Sequence, residues 1–252
     1  VDPEKAHTLA IKSLKFNLIP NVFDENKNDP IFQAKIFDKD LDNPIGMAAG
    51  FDKNAEVYNS LFKLGFGFVE VGTITPLKQY GNPKPRVFRL VEDEALINRL
   101  GFNNQGAQIV KERIKRNKKL GLLGINVGPN KDSSDRLNDY LIGLKTFYDD
   151  ADYITINISS PNTENLRTFH EGDKLQDLLK SIMEERKNLK SNIPIAVKVS
   201  PDISEDQVNQ ISEILSEHEV KAIIVSNTSE ATRDKLSNIQ RHQKGGLSGK
   251  PI

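Results

Sequence analysis

The chain contains no cysteine, which removes disulfides, thiolate metal ligands and any cysteine nucleophile or base from consideration and suits a reducing compartment. Its four histidines, His7, His170, His218 and His242, show no metal-ligand spacing, so no metal is expected. Net charge is also absent: 35 Lys and Arg balance 35 Asp and Glu, leaving no field to draw the protein toward nucleic acid or an anionic membrane. No apolar run approaches the roughly 20 residues that span a bilayer, and no signal peptide is visible, so this stretch of chain is expected to be soluble. What is present is a globular composition. Hydrophobic residues at 37% can fill a core and charged residues at 28% can solvate a surface, which excludes disorder. A length of 252 residues suits one main α/β domain with small additions.

The opening Asp2-Pro3-Glu4 reads as a helix start, with a capping Asp, Pro in the first turn and an acid beside it. Ala6, Leu9, Ala10 and Leu14 form its expected apolar stripe. The polar stretch from Asp24 to Asp29 separates this segment (1–25) from the body (26–252). From residue 44 short Val- and Ile-rich runs alternate with amphipathic stretches. The runs are Pro44–Ala49, Phe66–Thr73, Leu122–Val127, Tyr153–Ile158, Pro194–Val199 and Ala222–Ser226. Near-continuous apolar strands are what a parallel sheet covered on both faces requires. The intervening segments carry helical spacing at Ile109, Val110 and Ile114, and again at Leu175, Leu178, Leu179 and Ile182. Ser204 with Gln207 makes a capping box, and Ile203 with Val208 a hydrophobic staple. This is βαβ alternation.

Two architectures fit, an open doubly wound sheet and a closed barrel. Nearly every run ends, at its C-terminal side, in small or hydrogen-bonding residues: Ala49-Gly50, Gly72-Thr73, Asn126, Asn157, Lys198 and Asn227. Such an unbroken series favours a ring, because in a barrel all those ends meet at one mouth, whereas in an open sheet only those at the switch point do. The expected fold is therefore an α/β (β/α)8 TIM-type barrel. It is represented here by about six of eight strand–helix units and a small N-terminal helical extension, with about two units expected beyond Ile252.

Three places could carry chemistry. Asn157-Ile158-Ser159-Ser160-Pro161-Asn162-Thr163 presents hydroxyls and amides after a buried strand, with Pro161 stiffening the loop; as a plain alternative, such residues also favour an ordinary turn. Lys198 sits within Ala196-Val197-Lys198-Val199, where a cation is costly unless an anion or a task compensates; the plain alternative is a snorkelling side chain. Phe51-Asp52-Lys53-Asn54 follows Ala48-Ala49-Gly50, whose small side chains let a flat ligand approach the backbone; the plain alternative is an ordinary βα loop. Gly245 to Pro251 is not a phosphate-binding Walker loop, since the spacing is wrong and Pro251 stands where Ser or Thr is required. It is expected to be a flexible Gly-rich loop at the mouth.

Together these motifs resemble the dihydroorotate dehydrogenases, specifically the membrane-associated, quinone-using class 2. The resemblance rests on Asn43 through Lys53, Gly65 through Thr73, Gly81 through Arg86, Ile97 through Asn103, Asn157 through Thr163 and Gly245 through Pro251. The lack of cysteine agrees with it, because class 1 members use a cysteine base where this chain has Ser160. The resemblance implies FMN in the barrel mouth and oxidation of dihydroorotate to orotate in pyrimidine biosynthesis. Ser160 is implied as the base, and Lys53, Asn98, Asn157, Asn162, Thr163, Asn227 and Thr228 as substrate contacts. Ala48, Ala49, Gly50, Thr73, Asn126, Asn157, Lys198, Ser226, Ser248 and Gly249 are implied around the cofactor. His7, Arg86, Val87 and Arg89 are implied along a quinone tunnel, with peripheral attachment to the inner membrane on its reducing side. Two rivals stand beside this reading: a barrel enzyme using Lys198 as a Schiff-base lysine, and a non-catalytic barrel remnant.

Overall fold

Asp2 accepts a hydrogen bond from the Lys5 N–H at 2.9 Å, and Pro3 occupies the first turn, so helix α1 (Pro3–Lys15) begins where its cap predicts. The computed structural model describes residues 2–18, 30–163, 166–231 and 233–252. The Asp24–Asp29 stretch, and with it the expected boundary at 25/26, lies outside the described residues. After α1 come strands β1 (Ala34–Ile36), β2 (Lys39–Leu41) and β3 (Gly46–Met47), helix α2 (Tyr58–Lys63), and strands β4 (Phe68–Ile74), β5 (Val87–Leu90) and β6 (Ala95–Asn98). Helix α3 (Ala107–Lys115), β7 (Leu122–Val127), α4 (Arg136–Phe147), β8 (Tyr153–Asn157) and α5 (Gly172–Asn188) follow. The series ends with β9 (Ile195–Val199), α6 (Glu205–Glu217), β10 (Ala222–Val225) and β11 (Gly246–Gly249).

The main sheet has six strands in the order β10-β9-β8-β7-β4-β3, each pair parallel. Every new strand is added on the same side of the last, so the order never reverses and no switch point exists. That is the winding of a barrel, not of an open doubly wound sheet. All six expected runs supply a strand. The first is the weakest, since Pro44–Ala49 yields only the two-residue β3.

Side-chain alternation sorts each strand into two faces. Leu123, Ile125 and Val127 of β7, Ile154 and Ile156 of β8, and Ile195, Val197 and Val199 of β9 form one core with Val110, Leu144, Phe147, Leu175, Leu178, Leu179 and Ile182 of the helices. Leu178→Ala in α5 is expected to lower the unfolding free energy by about 2–5 kcal/mol, as truncation of a fully buried leucine does. A urea titration in which the midpoint falls and the slope holds checks this. The residues between these positions face the barrel interior. At the N-terminal end Phe68, Leu122, Tyr153, Ala196, Ala222 and Ile224 pack with Ala34, Ile36, Phe37 and Leu41 of the β1–β2 hairpin, which plugs the floor. Gly124 is required there: a Cβ would lie 2.1 Å from the Tyr153 ring.

Several expectations are corrected. Gly245–Pro251 is not a flexible loop; Gly246–Gly249 forms β11, antiparallel to β6, which pairs in turn with β5. Its glycines serve close approach, since a Cβ on Gly246 would lie 1.8 Å from Thr228 Oγ1 and one on Gly249 2.5 Å from Glu94 O. This small sheet, with its own core of Phe88, Leu90, Ile97, Leu236 and Leu247, is absent from the sequence reading because its strands are short and interrupted by turns. The α1 stripe is buried only at Leu14, with Ile11 beside it, while Leu9 is 65% exposed. The Ser204–Gln207 capping box forms in both directions, at 3.3 and 3.0 Å. Ile203 joins the core, but Val208 is 44% exposed.

Candidate active site

At the C-terminal ends of the parallel strands lies a cavity of about 800 Å³. It brings together Ala49, Gly50, Lys53, Thr73, Asn98, Asn157, Ser160, Asn162, Lys198, Asn227 and Thr228, and runs beneath α1 to His7, Val87 and Arg89. Seven expected site residues are not on its surface: Ala48, Arg86, Asn126, Thr163, Ser226, Ser248 and Gly249. Asn126 lies buried among Glu70, Thr73 and Asn157. Arg86 reaches Glu4 Oε1 at 2.8 and 3.1 Å and the carbonyls of Tyr80 and Asn82 at 2.7 and 3.0 Å, tying α1 to the body. Ser226 donates to Asn227 O, and Ser248 to Leu96 O. The Thr163 hydroxyl is buried without a partner among the described residues.

Strand β9 aims Lys198 inward because its neighbours Val197 and Val199 belong to the outer core. Lys198 is 8% exposed, and no described residue hydrogen-bonds its ammonium. Burial pulls its pKa below the usual lysine range, with Glu70 opposing. Lys53 is held by the loop after β3. Asp52 Oδ1 accepts from the Glu56 N–H at 2.8 Å and Oδ2 from the Val57 N–H at 2.7 Å, curling the loop so that the Lys53 ammonium reaches Gly50 O. Burial, then the positive Arg86, lowers the Lys53 pKa to about 8 against the pull of Glu4 and Asp52.

The loop after β8 carries Ser160, buried, its Oγ accepting from the Asn162 N–H at 3.2 Å. Asn162 Nδ2 donates to Asn98 Oδ1 at 3.4 Å, joining this loop to β6. Asn157 is fully engaged: its amide donates to Thr73 Oγ1 and Asn126 Oδ1, and its carbonyl accepts from the Ser159 N–H and hydroxyl. Asn98 and Asn227 keep N–H capacity to spare. Each carries two amide hydrogens; Asn227 Nδ2 has one partner, Ser159 Oγ at 2.9 Å, and Asn98 Nδ2 has none among the described residues.

Two residues escaped the sequence reading. Glu70, buried inside β4, collects Asn126, Tyr153 and Thr155 at 2.8–2.9 Å. The signal was there, a charged residue in Phe68-Val69-Glu70-Val71, the same anomaly that singles out Lys198. Arg167 binds Ser159 O, Thr228 O, Asp202 and Glu230, clamping the loops after β8 and β10 together. Only the fold brings these loops into reach of one guanidinium.

A barrel-wound sheet with one polar mouth, a buried lysine that no described residue hydrogen-bonds and a serine among amides defines a barrel enzyme with its chemistry at the strand ends. The sequence model of the dihydroorotate dehydrogenase family matches residues 31–252, and the chain belongs to that family of flavin-dependent oxidoreductases. It is 46% identical to the dihydroorotate dehydrogenase (quinone) of Agrobacterium fabrum and 48% to that of Bartonella tribocorum, over its whole length and 70% of theirs. A crystal structure of the enzyme from Eimeria tenella in complex with ferulenol superposes with a TM-score of 0.93 at 36% identity, covering all of this chain and 73% of that one. Membership sets aside the Schiff-base reading of Lys198.

Proposed function

We propose that the chain oxidises dihydroorotate to orotate for pyrimidine synthesis, with FMN as its flavin and a quinone as the final acceptor. The observation that carries the reading is the meeting of Ser160 with buried Lys198, which no described residue hydrogen-bonds, on one cavity with open backbone beside it. A Cβ on Gly50 would meet nothing within 4 Å, which leaves room for a flat ring against the chain. That space and the free ammonium fit a flavin. Ala49, Gly50, Thr73 and Lys198 would hold it, with Asn126 fixing Thr73 from below and Ala48, Ser226, Ser248 and Gly249 assigned to the same cofactor. Bound FMN supplies the acceptor for the hydride leaving C6 of the substrate.

The chain's own residues do the rest. Ser160 Oγ takes the proton from C5 while its own hydroxyl proton passes to water in the cavity. The spare N–H groups of Asn98 and Asn227 donate to the pyrimidine carbonyls, with Asn162, Thr163 and Thr228 beside them and Asn157 holding the loop that carries Ser160. Lys53 meets the carboxylate. Lys198 balances negative charge built up on the ring system. Quinone access is assigned to the end of the cavity under α1, at His7, Val87 and Arg89, with Arg86 holding α1 in place. Among the described residues no helix is long and apolar enough to cross a membrane. Leu9, Phe16 and Leu18, 65–71% exposed on and after α1, support a peripheral attachment at this end.

Anaerobic addition of dihydroorotate to the purified yellow protein is expected to bleach the flavin band; no bleaching sinks the reading. The Lys53 pKa of about 8 sets a pH signature. Lys53 attracts a carboxylate only while protonated, so orotate affinity should hold steady below about pH 8. It should weaken toward tenfold per unit above that value, as the charge is lost. Lys53→Met is expected to bind orotate weakly at every pH, and titrations of the two proteins check both points.

A further inference from the structure

We propose that Glu70 is a positioning residue: acting through Asn126 from beneath the cavity, it sets the hydrogen-bond sense of the amide that holds the catalytic loop. The proposal rests on the assignment of the cavity above as the dihydroorotate site. Glu70 is 4% exposed and faces the barrel interior between Val69 and Val71, which belong to the outer core. Its Oε2 accepts from the hydroxyls of Tyr153 at 2.9 Å and Thr155 at 2.8 Å, and its Oε1 from Asn126 Nδ2 at 2.8 Å.

An asparagine amide has nearly the same shape either way round, so its sense is decided by its neighbours. A carboxylate can only accept. Glu70 therefore commits the NH2 end of Asn126 downward and leaves its Oδ1 facing the mouth. There Oδ1 accepts from the Thr73 hydroxyl at 2.7 Å and from Asn157 Nδ2 at 3.1 Å. Asn157, with its NH2 so committed, turns its carbonyl to the Ser159 hydroxyl at 2.7 Å and the Ser159 N–H at 3.1 Å, one residue before Ser160. Every link runs the same way and ends on one buried acceptor. Without that acceptor the Asn126 amide is free to turn, setting its NH2 against that of Asn157 in a buried place where an unpaired donor costs stability.

The chain differs from ordinary packing in what rescues it. Glutamine at position 70 keeps an oxygen for Asn126, while the two hydroxyls rotate to accept its Nε2. Leucine keeps the volume and removes the acceptor. In flavin-loaded enzyme, with orotate binding followed by the change in flavin absorbance, E70Q is expected to bind within about threefold of wild type. E70L is expected to bind at least about tenfold more weakly, and so is N126A. Because one residue acts through the other, E70L/N126A should be no worse than either single change rather than the product of the two. Equal orotate affinity in wild type and E70L, or multiplied losses in the double variant, overturns the proposal. Neutron diffraction of the wild-type holoenzyme tests it without any variant: deuterons on the Asn126 atom facing Glu70 support it, and a deuteron on Glu70 or on the Asn126 atom facing Asn157 overturns it. If wild-type enzyme fails to bind orotate at all, the assignment of the site falls first.

Discussion

Ser160→Ala should leave the flavin bound and slow its reduction by dihydroorotate at least about a hundredfold, the usual loss when a general base is removed. The residue is small and buried, and among the described residues its Oγ accepts only the Asn162 N–H at 3.2 Å, so alanine fits without repacking. The flavin spectrum and melting temperature should therefore stay near wild type while the reductive half-reaction collapses. Stopped-flow reduction under anaerobic conditions separates the two. A rate near that of wild type removes Ser160 from the chemistry. Ser160→Cys gives the complementary test. A thiol ionises far more readily than a hydroxyl, so partial activity should return and rise with pH as the thiolate forms.

Lys198→Met is expected to act in two opposite directions. Methionine keeps an unbranched apolar stem inside β9 and removes a buried charge that no described residue hydrogen-bonds. The charge costs desolvation free energy in the folded chain, as the lowered lysine pKa records, so melting should not fall and is expected to rise. Reduction of the bound flavin should slow by about a hundredfold to a thousandfold, the scale of losing one preorganised electrostatic contact, and its reduction potential should drop. Stability kept at the expense of function is the pattern of a residue retained for its chemistry. An unchanged potential with flavin bound returns Lys198 to a packing role.

Where charge met an apolar strand, sequence alone pointed to chemistry. Lys198 between Val197 and Val199 is anomalous on any reading, because desolvating an ammonium is costly wherever the strand lies. The same logic applied to Glu70 between Val69 and Val71, but nothing in the chain says that Asn126, Tyr153 and Thr155 converge on it from two neighbouring strands. Arg86 shows the reverse. Its motif places it beside Val87 and Arg89, yet its guanidinium is taken up by Glu4 on α1, 82 residues away in sequence, and by the carbonyls of Tyr80 and Asn82.

The positions of the six parallel strands, the caps of α1 and α6 and the polar strand ends were determined by the sequence itself, because they depend on period, capping chemistry and neighbours a few residues away. The pairing order β10-β9-β8-β7-β4-β3, the plugging of the barrel floor by the β1–β2 hairpin, and the turning of Gly246–Gly249 into a strand were decided only by tertiary structure. Each depends on contacts between segments far apart along the chain, and local propensity carries no information about which distant backbone or buried acceptor a residue will meet.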